Sequence, residues 1–305
     1  MSKAVVYRRF GGPEALELLE VPEPHAGPDE VRVRVTAAGL NPMDWQIAAS
    51  PAAAARFGIT LPAGFGTDFA GVVDEVGAEA VGFAAGDRVH GGAIGRAVAE
   101  YVLVKTPATT LWRTSEGISD EVASTLAVSG LTASAALAAI GLQAGDTVLI
   151  GGAAGGVGIF AVQLAKLAGA RVLGTASERT FGFLRELGAE PVAYGPGLAD
   201  RVRELAPEGI TAAADLFDRD TAETALKLGV APERISTVAD GPAIPGVRAT
   251  GAFEAEPGSL ERIAEAVRSG EITVPIAATF PVGQIREAVT TQAGRHVHGK
   301  IAVVL

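Results

Sequence analysis

The stretch LIGGAAGGVGIFAVQLAKLAG (Leu149–Gly169) constrains this chain more than any other. GDTVLIGG reads as a short buried strand, a glycine cluster follows, and GVGIFAVQLAKLAG has the apolar period of a helix ending at a glycine. Between strand and helix, Ala153-x-Gly155-x-x-Gly158 has the spacing of a dinucleotide-binding turn. The first small residue allows a tight turn, and the middle glycine admits a pyrophosphate against the backbone. The last lets the helix pack close to the strand. N–H groups at the helix start, around Gly156 and Val157, then face the anion. The alternative is a packed helix–strand turn without a ligand; the surrounding pattern favours the dinucleotide.

That pattern is a repeated alternation. ARVLGTAS, PVAYG, AAADLFD and RISTVAD read as strands, and RTFGFLRELGAE and ADRVRELAPEG as helices. Strands alternating with helices predict βαβ units and a doubly wound parallel sheet. Upstream, ISDEVASTLAVSGLTASAALAAIG reads as one helix, and ATGAF, the helix SLERIAEAVRSGEI and the strand GKIAVVL close the chain. The first hundred residues have a different texture. VRVRV (Val31–Val35) alternates as a half-exposed strand does, and GVVDEVG, DRVHGG and AEYVLVK follow with glycine turns. Many short strands predict a compact, barrel-like β-domain.

Composition narrows the partners. The 305 residues carry a net charge of −10, which argues against nucleic acid and against a polybasic membrane anchor. Val122–Gly145 and Thr147–Ala165 are free of charge, but small residues and glycines dominate them, so both read as buried segments of a soluble domain. The start, MSKAVVYRRFGG, has no apolar signal core, and a cytoplasmic protein is expected. The sequence contains no cysteine, which removes thiolate nucleophiles and cysteine-ligated zinc.

An NAD site wants a carboxylate after the second strand, to meet the ribose hydroxyls. The residues there are Gly174-Thr175-Ala176-Ser177-Glu178-Arg179. Hydroxyls at Thr175 and Ser177 with a cation at Arg179 suit the 2′-phosphate of NADPH better, and Glu178 is the dissenting residue.

With these residues in view, the chain resembles the zinc-independent medium-chain dehydrogenase/reductases, in particular their quinone oxidoreductase group. The resemblance runs through AGLNPMDW (Ala38–Trp45), GTDFAGVVDEVG (Gly66–Gly77), GDRVHGG (Gly86–Gly92), AEYVLVK (Ala99–Lys105), SGLTASAAL (Ser129–Leu137), Ala144–Ser177 and HGKIAVVL (His298–Leu305). It implies a GroES-like β-rich catalytic domain over 1–117 and 272–305 and a Rossmann NADP-binding domain over 118–271. NADPH and substrate are expected in the cleft between them, and the assembly is expected to be a homodimer.

Zinc-dependent relatives carry Gly-His-Glu near Gly66-Thr67-Asp68; here threonine takes the histidine position. His296 and His298 would share a face if they lay on a strand, but they lack a third ligand. His25 and His90 read as loop and turn residues without partners. No metal is expected. Without a Lewis acid, the chemistry left is hydride delivery from NADPH to an activated carbon of a quinone or an α,β-unsaturated carbonyl compound. A biosynthetic enoyl reductase of a polyketide-like intermediate and a non-catalytic NADPH-binding sensor are the alternatives.

The resemblance also nominates residues. Asn41 and Asp44 match the motif beside the nicotinamide, although Asn41-Pro42 is equally a turn signal. Quinone reductases of the group often place a tyrosine shortly after that aspartate; Trp45 and Gln46 stand there instead. Water is then the expected proton source, and Trp45 is either a stacking surface or a partly buried anchor. Thr132 matches a residue near the nicotinamide, Tyr194 an aromatic near the adenosine 2′-phosphate, and Lys300 a cofactor-cleft lysine. Related enzymes often meet that phosphate with a lysine where Thr180 stands, so Arg179 is the expected substitute. Phe253, after the sixth strand, is expected in the core, with a backbone approach to the nicotinamide as the alternative.

Overall fold

A computed structural model describes residues 1–239 and 241–305. Asp240, the last residue of the expected strand segment RISTVAD, lies outside the described residues. The chain divides into two units. One is Met1–Val128 with Ala264–Ser269 and Pro275–Leu305; the other is Ser129–Ile263 with Gly270–Val274.

The first unit begins with β1 (Ser2–Tyr7), β2 (Leu16–Val21) and β3 (Glu30–Leu40). Helices α1 (Pro42–Ala49) and α2 (Pro51–Arg56) follow, then β4 (Ala63–Gly64), β5 (Asp68–Val76), β6 (Arg88–Gly92), β7 (Tyr101–Lys105), β8 (Leu111–Arg113) and α3 (Asp120–Ala123). Strand β3 organises it. Its first half pairs antiparallel with β7 and much of its length with β5, and register shifts at Arg32/Val33 and Val35/Ala37 bend it.

Two expectations change here. The all-strand reading fails over 42–56, because prolines at the first helical positions and a run of four alanines favour helix. Arg32, expected on an exposed face, is buried. Its guanidinium makes two 3.0 Å bonds to Asp74 and lies 4.5 Å from the Tyr101 ring centre. These partners replace the solvent it loses.

The helix expected from Ile118 onward is in fact α3 and α4 (Ala127–Ala139), separated at Ser124–Leu126. The Ser124 and Thr125 hydroxyls donate back to the carbonyls of Glu121 and Val122, at 2.9 and 2.8 Å, and so compete with helix continuation. A Cβ on Gly39 would lie 2.1 Å from the Ser124 carbonyl oxygen, so β3 and the chain after α3 meet backbone to backbone.

The second unit holds the expected alternation: β9 (Thr147–Gly151), α5 (Gly158–Leu167), β10 (Arg171–Ala176), α6 (Phe181–Leu187), β11 (Glu190–Ala193), α7 (Leu198–Leu205), β12 (Ala212–Asp215), α8 (Asp220–Lys227), β13 (Ile235–Thr237) and β14 (Arg248–Ala249). Their order is β11-β10-β9-β12-β13-β14, every pair parallel. The order reverses between β9 and β12, as in a doubly wound Rossmann sheet. Leu149 and Leu173 are fully buried, as strands covered on both faces require.

After α9 (Ser259–Ser269) come β15 (Ile276–Pro281), α10 (Ile285–Ala293) and β16 (Lys300–Val304). Strand β16 pairs antiparallel with the second half of β3, placing the last strand of the sequence beside Ala37–Leu40. The result is a GroES-like β-rich unit and a Rossmann-like one. Among the described residues, no helix is long and apolar enough to cross a membrane. Phe253, expected in the core, is 76% exposed on a single turn after β14.

His90 is no turn residue. It sits on β6, 1% exposed, its Nδ1 3.1 Å from Thr114 Oγ1, and Nε2 has no protein partner among the described residues. Burial lowers its pKa from 6.5 to about 4. The folded-state value lies below the unfolded one, so the stabilisation is complete above the unfolded value and is lost as pH falls toward the folded one. The difference amounts to about 3 kcal/mol. Urea unfolding at about pH 7 and about pH 4.5 will show the wild type losing about 2–3 kcal/mol more than His90→Gln. Parallel losses in the two proteins would remove His90 as the acid-sensitive group.

Candidate cofactor turn and buried polar cluster

In the second unit, the turn after β9 is held by a hydroxyl from β10. Gly152 has φ +64, and its N–H donates to Thr175 Oγ1 at 3.1 Å. The Ala153 N–H donates to the Thr175 carbonyl at 3.3 Å. The positive φ that tightens the turn thus belongs to Gly152, one residue before the nominated Ala153, which is buried against Gly174. Sequence reasoning passed over Gly152, although its place at the strand end is where a left-handed residue is useful.

The two later glycines have different reasons to be glycine. A Cβ on Gly158 would stand 2.2 Å from the Gly152 carbonyl oxygen and 2.6 Å from the Ala153 carbonyl carbon, so close packing of α5 on the turn requires it. A Cβ on Gly155 would meet the Gly152 carbonyl oxygen alone, at 3.2 Å. Packing therefore constrains position 155 less severely than 158, although a Cβ there still crowds a backbone carbonyl. The open side of the turn, with Gly155, Gly156 and Val157 all partly exposed at the first turn of α5, suits a phosphate.

The residues nominated for the 2′-phosphate separate. Thr175 is 5% exposed, and its hydroxyl is engaged by Gly152, so it clasps the turn instead of facing a ligand. Ser177 Oγ lies 2.6 Å from Thr180 Oγ1, which makes Thr180 a buried partner of Ser177. Glu178 and Arg179 are exposed. Tyr194, just past β11, is 62% exposed. Ala176 and Ala193 are in register across β10 and β11, so Ser177 and Tyr194 leave the same sheet edge side by side. Thr132 is buried in α4.

In the first unit, Asn41, Asp44 and Lys300 come together with Thr67 and Asp68, all at most 4% exposed. Asn41 ends β3 and precedes α1; its N–H donates to Asp44 Oδ2 at 2.8 Å and its Nδ2 to Asp68 Oδ2 at 2.9 Å. Lys300 Nζ donates to Asn41 Oδ1 at 2.7 Å and to the Leu40 carbonyl at 3.2 Å. The Thr67 hydroxyl donates to Asp44 Oδ1 at 2.6 Å. The Val128 N–H reaches both oxygens of Asp68 at 3.2 Å. Burial pushes the Asp44 carboxyl up to about 6, against the pull of Thr67, Asn41 and Lys300. Burial likewise raises Asp68 and lowers Lys300, while their mutual attraction opposes both shifts.

The arrangement keeps these side chains in the interior, where they set the corner between β3 and α1. Trp45, on that helix, is partly buried and packs on the cluster containing Tyr7, Leu40 and Ile301, as the anchor reading expects; Gln46 is exposed. Thr67 and Asp68 were visible in sequence only as the place where other proteins bind zinc. A better signal was available: Asp68 is the one charge between Gly64 and Val73, and an isolated charge in an apolar run needs a buried partner. His296 and His298 lie in the irregular segment before β16, not on a strand, and His25 faces Glu75 Oε2 at 3.2 Å.

The family model for the alcohol dehydrogenase GroES-like domain matches residues 27–139, and that for zinc-binding dehydrogenases matches residues 156–241. The quinone oxidoreductase of Pseudomonas aeruginosa is 32% identical over 340 residues, covering 100% of both chains. The solved quinone oxidoreductase of Coxiella burnetii superposes with a TM-score of 0.87 at 29% identity, over 100% of this chain and 99% of that one. A native mycobacterial protein solved in complex with NADPH superposes with a TM-score of 0.87 at 25% identity, over 100% of both chains. With its glycine turn on a Rossmann-like sheet, its GroES-like unit and relatives aligned along its whole length, the chain belongs to the quinone oxidoreductase group of the medium-chain dehydrogenase/reductase superfamily.

Proposed function

We propose that this chain is an NADPH-dependent reductase of quinones or other activated double bonds, working without zinc as a cytoplasmic homodimer. The observation that carries the reading is the open turn before α5, where Gly155, Gly156 and Val157 are partly exposed and which is clasped from the next strand by Thr175. Full-length likeness to a quinone oxidoreductase supports the acceptor class, and likeness to a protein solved with NADPH supports the cofactor.

When bound, NADPH supplies a hydride. The chain's own residues bind and orient. The turn at Gly155–Gly158 offers N–H groups to the pyrophosphate, and Arg179 offers a cation to the 2′-phosphate. Asn41, Asp44 and Lys300 are positioning residues that fix the start of α1 from beneath. Around Asp68 the Asn41 amide and the Val128 N–H already donate to the carboxylate oxygens that a metal ligand would have to keep open. Trp45 and Gln46 provide no acidic hydroxyl, so water protonates the product.

Gly155→Asp is expected to lose NADPH binding by more than about a hundredfold, well beyond Gly155→Ala, because a carboxylate then opposes the phosphates. Undiminished affinity would refute the assignment. Arg179→Ala should weaken NADPH by about tenfold while leaving NADH nearly unchanged, as loss of one charge-assisted contact implies. Titration of both nucleotides decides it, and equal losses would mean that Arg179 does not read the 2′-phosphate. Anaerobic oxidation of NADPH against matched panels of small quinones and conjugated enones tests the reaction itself. Turnover of either panel identifies the acceptor class; binding without turnover would overturn the reductase reading.

A further inference from the structure

The loop after β11 is built around a side chain. Tyr194, Gly195, Pro196 and Gly197 lead from the strand to α7, and Arg201 of α7 turns its guanidinium back into that loop. Its Nε donates to the Ala193 carbonyl at 3.0 Å, and Nη1 donates to that of Pro196 at 2.9 Å. Nη2 is shared among the carbonyls of Ala193, Tyr194 and Gly195, at 2.8, 3.2 and 3.1 Å. Four successive carbonyl oxygens therefore converge on one planar cation. Gly195 and Gly197, at φ +85 and +82, supply the left-handed backbone that this curl requires. Among the described residues no carboxylate lies within ion-pair distance of Arg201, so its charge is met by peptide dipoles alone.

The collar fixes an exposed aromatic. Tyr194 leaves the carboxyl edge of the sheet beside Ser177, two residues before Arg179. Ligands of open parallel sheets bind outside that edge. A lone exposed tyrosine on a loop flanked by two glycines would ordinarily be free to move; five donated hydrogen bonds hold its backbone.

We propose that Arg201 is a specificity-determining positioning residue. It orders the Tyr194 loop at the sheet edge beside Ser177, so that this loop, with Arg179, favours an adenosine carrying a 2′-phosphate over one carrying a free ribose hydroxyl. The inference rests on the cofactor reading above. A lysine cannot replace it, because a point charge on a flexible stem does not reproduce the planar fork.

The test measures dissociation constants of NADPH, NADH and adenosine 2′,5′-bisphosphate by calorimetry, with hydrogen exchange followed over 193–197. The proteins are the wild type, Arg201→Gln, Arg201→Lys, Tyr194→Ala and Arg201→Gln/Tyr194→Ala. Arg201→Gln is expected to weaken NADPH and the bisphosphate about tenfold, to leave NADH within about twofold, and to accelerate exchange over 193–197. The double variant should bind NADPH no worse than the weaker single one, since both changes undo one arrangement. Equal losses for NADPH and NADH, or faster exchange with unchanged NADPH affinity, would overturn the proposal. If Arg201→Gln does not fold, Arg201→Lys carries the same comparison, with a loss of NADPH preference expected. Gly155→Asp separates the two readings. Should that variant bind NADPH as the wild type does, the cofactor reading falls and this inference with it; should it lose binding while Arg201→Gln does not, this inference alone falls.

Discussion

The first unit depends on a buried lysine, Lys300, whose ammonium donates to the Asn41 side chain and the Leu40 carbonyl and feels the charges of Asp44 and Asp68. Lys300 comes from the last strand, Asn41 from the corner after β3 and Asp68 from the start of β5, so three separate stretches meet in one hydrogen-bonded group. Each charge would be costly alone in that interior, and removing one partner of such a group costs about 3–5 kcal/mol. What the group secures is direction. Asp44 accepts from the Asn41 backbone and from the Thr67 hydroxyl, which fixes the angle at which α1 leaves the sheet and therefore where Trp45 and its neighbours stand.

The second unit solves the same problem without buried ions. Its turn is set by Gly152 in a left-handed conformation, by the Thr175 hydroxyl reaching from the adjacent strand, and by the absence of a side chain on Gly158. Close contact of backbone with backbone does there what charge does in the first unit. In the second unit the polar residues divide into those that hold the frame and those that stand exposed. Thr175 is of the first kind, as Asn41 is in the first unit; Arg179 and Tyr194 are of the second.

Much of this was legible in the residues. The alternation from Gly145 onward has strong periodicity and glycine punctuation, and its parallel sheet follows from them. The helices over 42–56 were not legible as such: their apolar pattern is weak, and Asn41-Pro42 reads as a turn signal, whereas Pro42 and Pro51 both start helices. The break between α3 and α4 was hidden because it comes from Ser124 and Thr125 bonding their own backbone. Site residues were identified by type more successfully than by role. Thr175 and Lys300 look alike in sequence whether they face a ligand or the interior, since that difference is made by partners far away along the chain. Phe253 shows the converse, an aromatic whose type suggests the core and whose place is the surface.

The placement of Lys300 also orders events during synthesis. The strand that carries it pairs with Ala37–Leu40, more than half the chain away, and everything between must emerge from the ribosome first. Until then Asp44 and Asp68 have no ammonium to accompany them into the interior, and they stay hydrated. The stretch Ser129–Ile263 is contiguous, and its parallel sheet needs no strand from either end. The parallel sheet of the second unit can thus form before β16 is made, whereas the buried polar group of the first is complete only once Lys300 is present.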